Sequence, residues 1–107
     1  MKHVSLDQLS AQQFADSVHT TFHVAHQTGN PIPLQLLSVT RQTSSGSPFE
    51  VFSLLFNGPG NRPLDQRTYP VSHERLGVFE LFLVPVSTDH TGRQYEAIIN
   101  RRSAAQC

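Results

Sequence analysis

The chain carries six histidines in 107 residues, and three of them invite a metal. His19, His23 and His26 are spaced by four and three, which on a helix would gather three imidazoles on one face for a zinc ion. The surrounding "TTFHVAH" alternates with the period of a strand instead. On a strand His19 and His23 would stand roughly 13 Å apart and His26 would face away. Zinc needs every ligand about 2 Å from one point, so the residues predict no metal site and no cofactor.

Acid and base chemistry has one better location. His73-Glu74, following Tyr69, sets an imidazole beside a carboxylate, a pairing that can tune a proton acceptor toward neutral pH. Neighbours on a strand point to opposite faces, however, so the two side chains are expected not to touch. The plainer reading is a histidine held inward or at an edge by a backbone carbonyl, with Glu74 in the turn before Leu76-Gly77. A hydrolase would also need a nucleophile, and the single cysteine, Cys107, on a terminal tail is poorly placed to be held by neighbours. "NGPGNRP", residues 57 to 63, is rich in glycine but lacks the Gly-Lys-Ser/Thr ending and the following helix of a phosphate loop. It reads as a turn, as do Asp89 and His90. Gln66 and Arg67, in the stretch from Leu64 to Tyr69, suit a contact rim or a loop packed on its own sheet.

Composition narrows the function further. Eight Lys plus Arg balance eight Asp plus Glu, so the basic excess that displaces counterions from nucleic acid is missing. "MKHVSLDQLSAQQF" has no apolar run like that of a secretory signal, and no stretch is long enough to cross a bilayer as a helix. One cysteine gives no disulfide within the chain. The expectation is a single cytoplasmic domain with no membrane and no nucleic-acid partner.

The elements that position these residues are mostly strands. Ser5 with Gln8, and Ser10 with Gln13, each fit a capping box, so residues 6 to 18 should form one broken helix or two short pieces burying Leu6, Leu9, Phe14, Ala15 and Val18. That apolar stripe is too narrow for an independent helix and should lie on a sheet as a cap. After it the period changes to two. Strands are expected at "TTFHVAH", "LQLLSVTRQ", "FEVFSLLFN" and around Tyr69, Val71 and His73, where Pro70 suggests an edge or a strand start. The turns between them are read at "QTGNPIP", "SSGSP" and "GPGNRP". The longest strand, about 77 to 86, is apolar on both faces, with Phe79, Leu81 and Leu83 on one and Val78, Phe82, Val84 and Val86 on the other. A loop at "STDHTGR" should join it to "QYEAIIN" as a hairpin. A strand greasy on both faces must be covered twice, which suits a rolled sheet whose outer face meets the helical start or another subunit. The predicted fold is mainly β with a minor helical part: an antiparallel β-barrel or roll of five to six strands over 20–100, a helical cap over 6–18 and a flexible tail over 101–107. Two packed sheets would satisfy the same pattern.

With "VFSLLFNGP", "LDQRTYPVSHERLG", "LFLVPVSTDHTGRQYEAIIN" and "SLDQLSAQQFADSVHTTF" read out, the chain resembles, from about residue 5 to 100, a family of small bacterial proteins of unknown function. The shared plan is a Leu-rich helical start, a Phe-Ser-Leu-Phe-Gly-Pro strand, a Tyr-x-x-x-His-x-x-Leu-Gly segment and a hairpin ending in Tyr-Glu-Ala-Ile-Ile-Asn. This chain departs from it by a longer "VAHQTGNPIPLQLLSVTRQTSSGSPF" segment. The resemblance implies no catalytic residue. It implies an accessory or assembly role beside phage-tail-collar-type proteins.

Three readings of function follow. The leading one is a non-enzymatic interaction module whose partner is a protein, either of tail-collar type or a second copy forming a homodimer. The alternative is a small-ligand binder or enzyme that uses the barrel interior, with Tyr69, His73 and Phe82 lining it. The third is a structural component of a phage-tail-like particle. A solid interior packed by Phe and Leu would remove the second reading.

Overall fold

Ser10 starts the helix. Its hydroxyl accepts the Gln13 amide at 3.0 Å while the Gln13 side chain accepts the Ser10 amide at 2.8 Å, closing the expected capping box. In the computed structural model, which describes residues 3–26, 29–42, 49–89 and 92–102, this helix, α1, spans Ala11–Ala15 and buries Ala11 and Phe14. A 3-10 turn at Leu6–Gln8 precedes it, with the Ser5 amide bonded to Gln8 Oε1 at 3.1 Å. The extended backbone of Ser10 (φ −88°, ψ 160°) separates the two pieces, so the cap is two short segments and ends before the predicted residue 18. His19 then adopts φ 71°, a left-handed turn that feeds the chain into the first strand, and its amide donates to Leu36 O at 2.7 Å.

Six strands follow: β1 (Thr21–Val24), β2 (Ile32–Arg41), β3 (Phe49–Gly58), β4 (Arg67–His73), β5 (Gly77–Asp89) and β6 (Gly92–Arg102). They close into an antiparallel barrel in the order β1-β2-β3-β6-β5-β4, which decides for the barrel over two packed sheets. Several boundaries differ from those read in the sequence. β2 begins at Ile32, inside the stretch expected to be a turn, because Ile32 and Pro33 pair with Val24 and His23. β5 and β6 extend to Asp89 and back to Gly92, so most of the expected "STDHTGR" loop is strand; His90 lies outside the described residues. β6 also continues through Arg102, two residues into the expected tail, whose remainder, Cys107 included, lies outside the described residues, as does the "SSGSP" turn. Pro70 sits on no sheet edge: β4 pairs with β5 throughout and with β1 at Val71 and Ser72, and the Pro70 carbonyl accepts the Ala25 amide at 2.9 Å.

Two bulges reconcile the apolar pattern with one interior. Leu37 is the extra residue where β2 shifts register against β3, so the inward set changes from Leu34 and Leu36 to Val39. Val86 is the extra residue beside Pro85, a position where a strand tolerates a residue that cannot donate to the ladder. Inward side chains fill the barrel. Phe22, Leu36, Phe52, Leu54, Phe56, Leu81, Leu83 and Tyr95 are all fully buried. Phe14 closes the end where β1, β3 and β5 begin, its ring centroid 6.4, 6.0 and 5.8 Å from Phe22, Phe52 and Phe79. α1 therefore covers the mouth of the barrel, while the preceding 3-10 turn lies against β5.

The opposite end is shut by the crossover from β3 to β4. Arg62 anchors it by donating to the carbonyls of Asn30 and Pro31 at 2.6 and 3.2 Å. Leu64 plugs the opening, and its amide donates to the Tyr95 hydroxyl at 2.9 Å. Gly92, at φ 140°, packs so tightly on β3 that a Cβ there would collide with the Gly58 carbonyl.

Candidate functional site

β4 places Tyr69, Val71 and His73 on its inward face. His73, 3% exposed, lies at the capped end with its ring 4.4 Å from that of Phe22. Its Nδ1 accepts the amides of Arg75 and Leu76 at 3.1 and 3.4 Å, holding the turn into β5. With Nδ1 accepting, the neutral ring carries its proton on Nε2, which donates to Thr20 Oγ1 at 2.8 Å; Thr20 in turn donates to Ser17 O at 2.5 Å. Burial lowers the His73 pKa below its ordinary value, and the Arg75 charge adds to this. The carbonyl expected to satisfy His73 is thus replaced by two amides and a threonine. Glu74 is exposed in the turn, as the strand geometry predicts. The arrangement ties β1, β4 and β5 together and leaves neither imidazole nitrogen free for a substrate.

Of the remaining residues singled out from the sequence, Arg67 and Tyr69 line one pocket at the start of β4, and Phe82 stands apart from them. Tyr69 is inward at the other end of β4, its hydroxyl donating to Asp65 O at 2.8 Å, and desolvation raises its pKa. Gln66 and Arg67 are exposed before and at the start of β4. Phe82 does not line the interior: it is 48% exposed, because Phe79, Leu81 and Leu83 take the inward positions of β5 and alternation turns Phe82 out. Phe and Leu side chains fill the interior where a ligand was expected, and a cleft of about 450 Å³ lined by Thr20, Thr21, His23, Ser72, His73, Glu74 and Arg75 opens beside His73. Among the described residues no group of three His, Cys, Asp or Glu side chains could hold a metal ion.

The open chemistry lies outside. Among the described residues Phe82, Val86 and Ile98 are the large apolar residues most exposed, at 48, 48 and 63%, and all stand on β5 and β6. β5 and β6 share a ladder from Val84 and Glu96 to Asp89 and Gly92, but among the described residues no ladder joins Gly77–Leu83 to Ala97–Arg102. The extrapolated register sets Phe82 opposite Ile98 across that seam. The N-terminal segment enters its lower part: His3 bridges Val78, and the Val4 amide donates to Val78 O at 2.9 Å. Beside this segment a groove of about 670 Å³ opens along the outer faces of β4 and β5, lined by Val4, Leu6, Pro70, Val78, Glu80 and Phe82. The helical start thus meets only the beginning of the outer face that was expected to need cover. Ile98 and Glu80 escape the sequence reading; the signal for Ile98 is the even-numbered alternation that also carries Phe82.

These features define a small antiparallel β-barrel domain with a packed interior, both ends closed, and an apolar outer wall on β5 and β6. The chain belongs to the DUF6916 family, a domain of unknown function whose profile matches residues 9–99. Neither the curated proteins nor the solved structures gave a match. No helix among the described residues is long and apolar enough to cross a membrane.

Proposed function

We propose that the protein is a non-enzymatic interaction module of the bacterial cytoplasm, which holds a protein partner against the outer wall formed by β5 and β6. The observation that carries the reading is the concentration of Phe82, Val86 and Ile98 on that wall while the interior is filled. A folded monomer gains nothing from leaving these half-exposed side chains in water, whereas burying the remainder of one against a partner is worth about 1 kcal/mol, roughly half the value for a fully exposed side chain. The partner is a protein of tail-collar type or a second copy of the chain, in keeping with an accessory or assembly role; incorporation into a tail-like particle is the variant of this reading in which the partner is the particle itself.

The test is affinity capture from the native bacterium with the wild-type chain and with Phe82→Glu side by side, together with sedimentation of the purified protein. The expected result is a protein, or a self-association, retained by the wild type and lost in the variant. A wild-type chain that sediments as a monomer and retains nothing that Phe82→Glu releases would sink the reading.

A further inference from the structure

The outer wall has a charge pattern as well as an apolar one. Outward positions on the neighbouring β4, β5 and β6 include Thr68, Pro70, Ser72, Val78, Glu80, Phe82, Val84, Gln94, Glu96, Ile98 and Asn100, by alternation with the buried inward residues. Two of these are charged, and both are carboxylates: Glu80 and Glu96. Neither has an ion-pair partner among the described residues. Glu96 is directly opposite Val84, so Glu80 lies four residues further along β5 from that point. At about 3.3 Å per residue the two carboxylates are separated by about 13 Å along the strand direction, with Phe82 midway.

We propose, resting on the interaction reading above, that the occupant of this wall is an extended segment of a different protein carrying a Lys or Arg, an apolar residue and a second Lys or Arg at alternate positions. In an extended chain such residues share one face and repeat at the same spacing as Glu80, Phe82 and Glu96. The cations meet the two carboxylates, and the apolar side chain packs on Phe82 and Ile98. The seam supplies backbone groups for the same segment. The Val78 carbonyl faces the seam and is taken by the Val4 amide, and alternation directs the next peptide groups, those of Glu80 and Phe82, the same way beyond the N-terminal segment. A second copy of the chain does not fit this pattern. No two of its eight Lys and Arg residues, at positions 2, 41, 62, 67, 75, 93, 101 and 102, are four apart.

The probe is a displayed library of random short peptides, selected on the intact protein at low salt, with the enriched peptides then measured in solution by fluorescence anisotropy. The expected outcome is enrichment of Lys/Arg, apolar and Lys/Arg at alternate positions. Affinity should fall by about fivefold for each of Glu80→Lys and Glu96→Lys and weaken as salt is raised. Both positions face solvent, and an unchanged thermal unfolding curve checks that the variants remain folded. Enriched peptides without the paired cations, peptides indifferent to both reversals, or no enrichment would each overturn the proposal. The capture experiment with Phe82→Glu reads the interaction function separately: a partner that needs Phe82 and ignores both reversals would leave that function standing and remove this segment chemistry.

Discussion

The Tyr95 hydroxyl lies 2.9 Å from the amide of Leu64, a bond that spans 31 residues of sequence and joins the β6 wall to the crossover closing the barrel. Tyr95 is buried on β6 with its ring in the packed interior, and Leu64 is the apolar plug above it. Aromatic body and polar tip therefore serve different neighbours. The ring fills the core, and the hydroxyl satisfies a donor that has been taken out of water.

Tyr95→Phe should keep the packing and lose the acceptor. A buried amide left without a partner costs about 1–3 kcal/mol, which in a domain near this size lowers Tm by roughly 4–8 °C for each kcal/mol. Thermal unfolding followed by circular dichroism checks it. A variant as stable as the wild type would mean that Leu64 is hydrated, and that the crossover is held by Arg62 alone.

His73 makes the stability depend on pH. Its folded pKa is depressed below the ordinary 6.5, chiefly by burial, so the unfolded chain binds the proton more readily than the folded one. The contribution is complete above the unfolded value of 6.5 and is lost as the pH falls below it toward the folded value. Protonation would place a hydrogen on Nδ1 facing the amides of Arg75 and Leu76, two donors that the neutral ring accepts. Urea unfolding at about pH 7.5 and about pH 5 should show a loss in the wild type that is smaller in His73→Gln, the difference not exceeding one proton, about 1.4 kcal/mol per pH unit. Equal losses in the two proteins would refute the assignment.

How much of this is legible before folding depends on whether a residue obeys local period or long-range closure. Phe22 and Val24, Phe52, Leu54 and Phe56, and Phe79, Leu81 and Leu83 alternate cleanly, and each set is buried. The Ser10 capping box is written in two residues and forms. Pro33 and Pro70 mislead because a proline signals a break only where its missing amide would have bonded; Pro33 lies near the start of β2 on the four-residue ladder with β1, and Pro70 lies just beyond the two residues by which β4 pairs with β1. The His73 network is illegible for a different reason. Thr20 and His73 are 53 residues apart, and only barrel closure of β4 on β1 brings them within 2.8 Å. The seam is equally hidden, since it opens only where the β5–β6 register stops at Val84 and Glu96, and Phe82 and Ile98 lie beyond that point on stretches that share no ladder among the described residues.

Gly92 answers a steric demand. Its φ of 140° is a conformation that side chains rarely adopt, and the space for a Cβ is taken by the Gly58 carbonyl. Gly92→Ala should cost about 1–3 kcal/mol through backbone strain, and the shift should appear in the urea midpoint with little change in slope. Gly29 gives the control, with φ 88° but nothing within 4 Å of the place a Cβ would take. Gly29→Ala should show the conformational penalty without the collision and so be the milder of the two. Equal costs would mean that the β3–β6 contact relaxes freely.

Leu83 and Phe82 are adjacent in sequence and opposite in consequence. Leu83 is fully buried in the barrel, whereas Phe82 is 48% exposed on its wall. Leu83→Ala should open a cavity and destabilise the protein by about 2–5 kcal/mol. Phe82→Ser removes a larger side chain from the surface and should change stability by no more than about 0.5 kcal/mol. The order reverses in binding. Phe82→Ser should abolish capture of the partner at unchanged Tm, while Leu83→Ala, assayed well below its lowered Tm, should retain it. Measuring unfolding and partner capture on the same two variants separates the residue that builds the barrel from the residue that uses it. Loss of stability in Phe82→Ser comparable to that in Leu83→Ala would show that the outer wall belongs to the core, and would remove the reason for seeking a partner there.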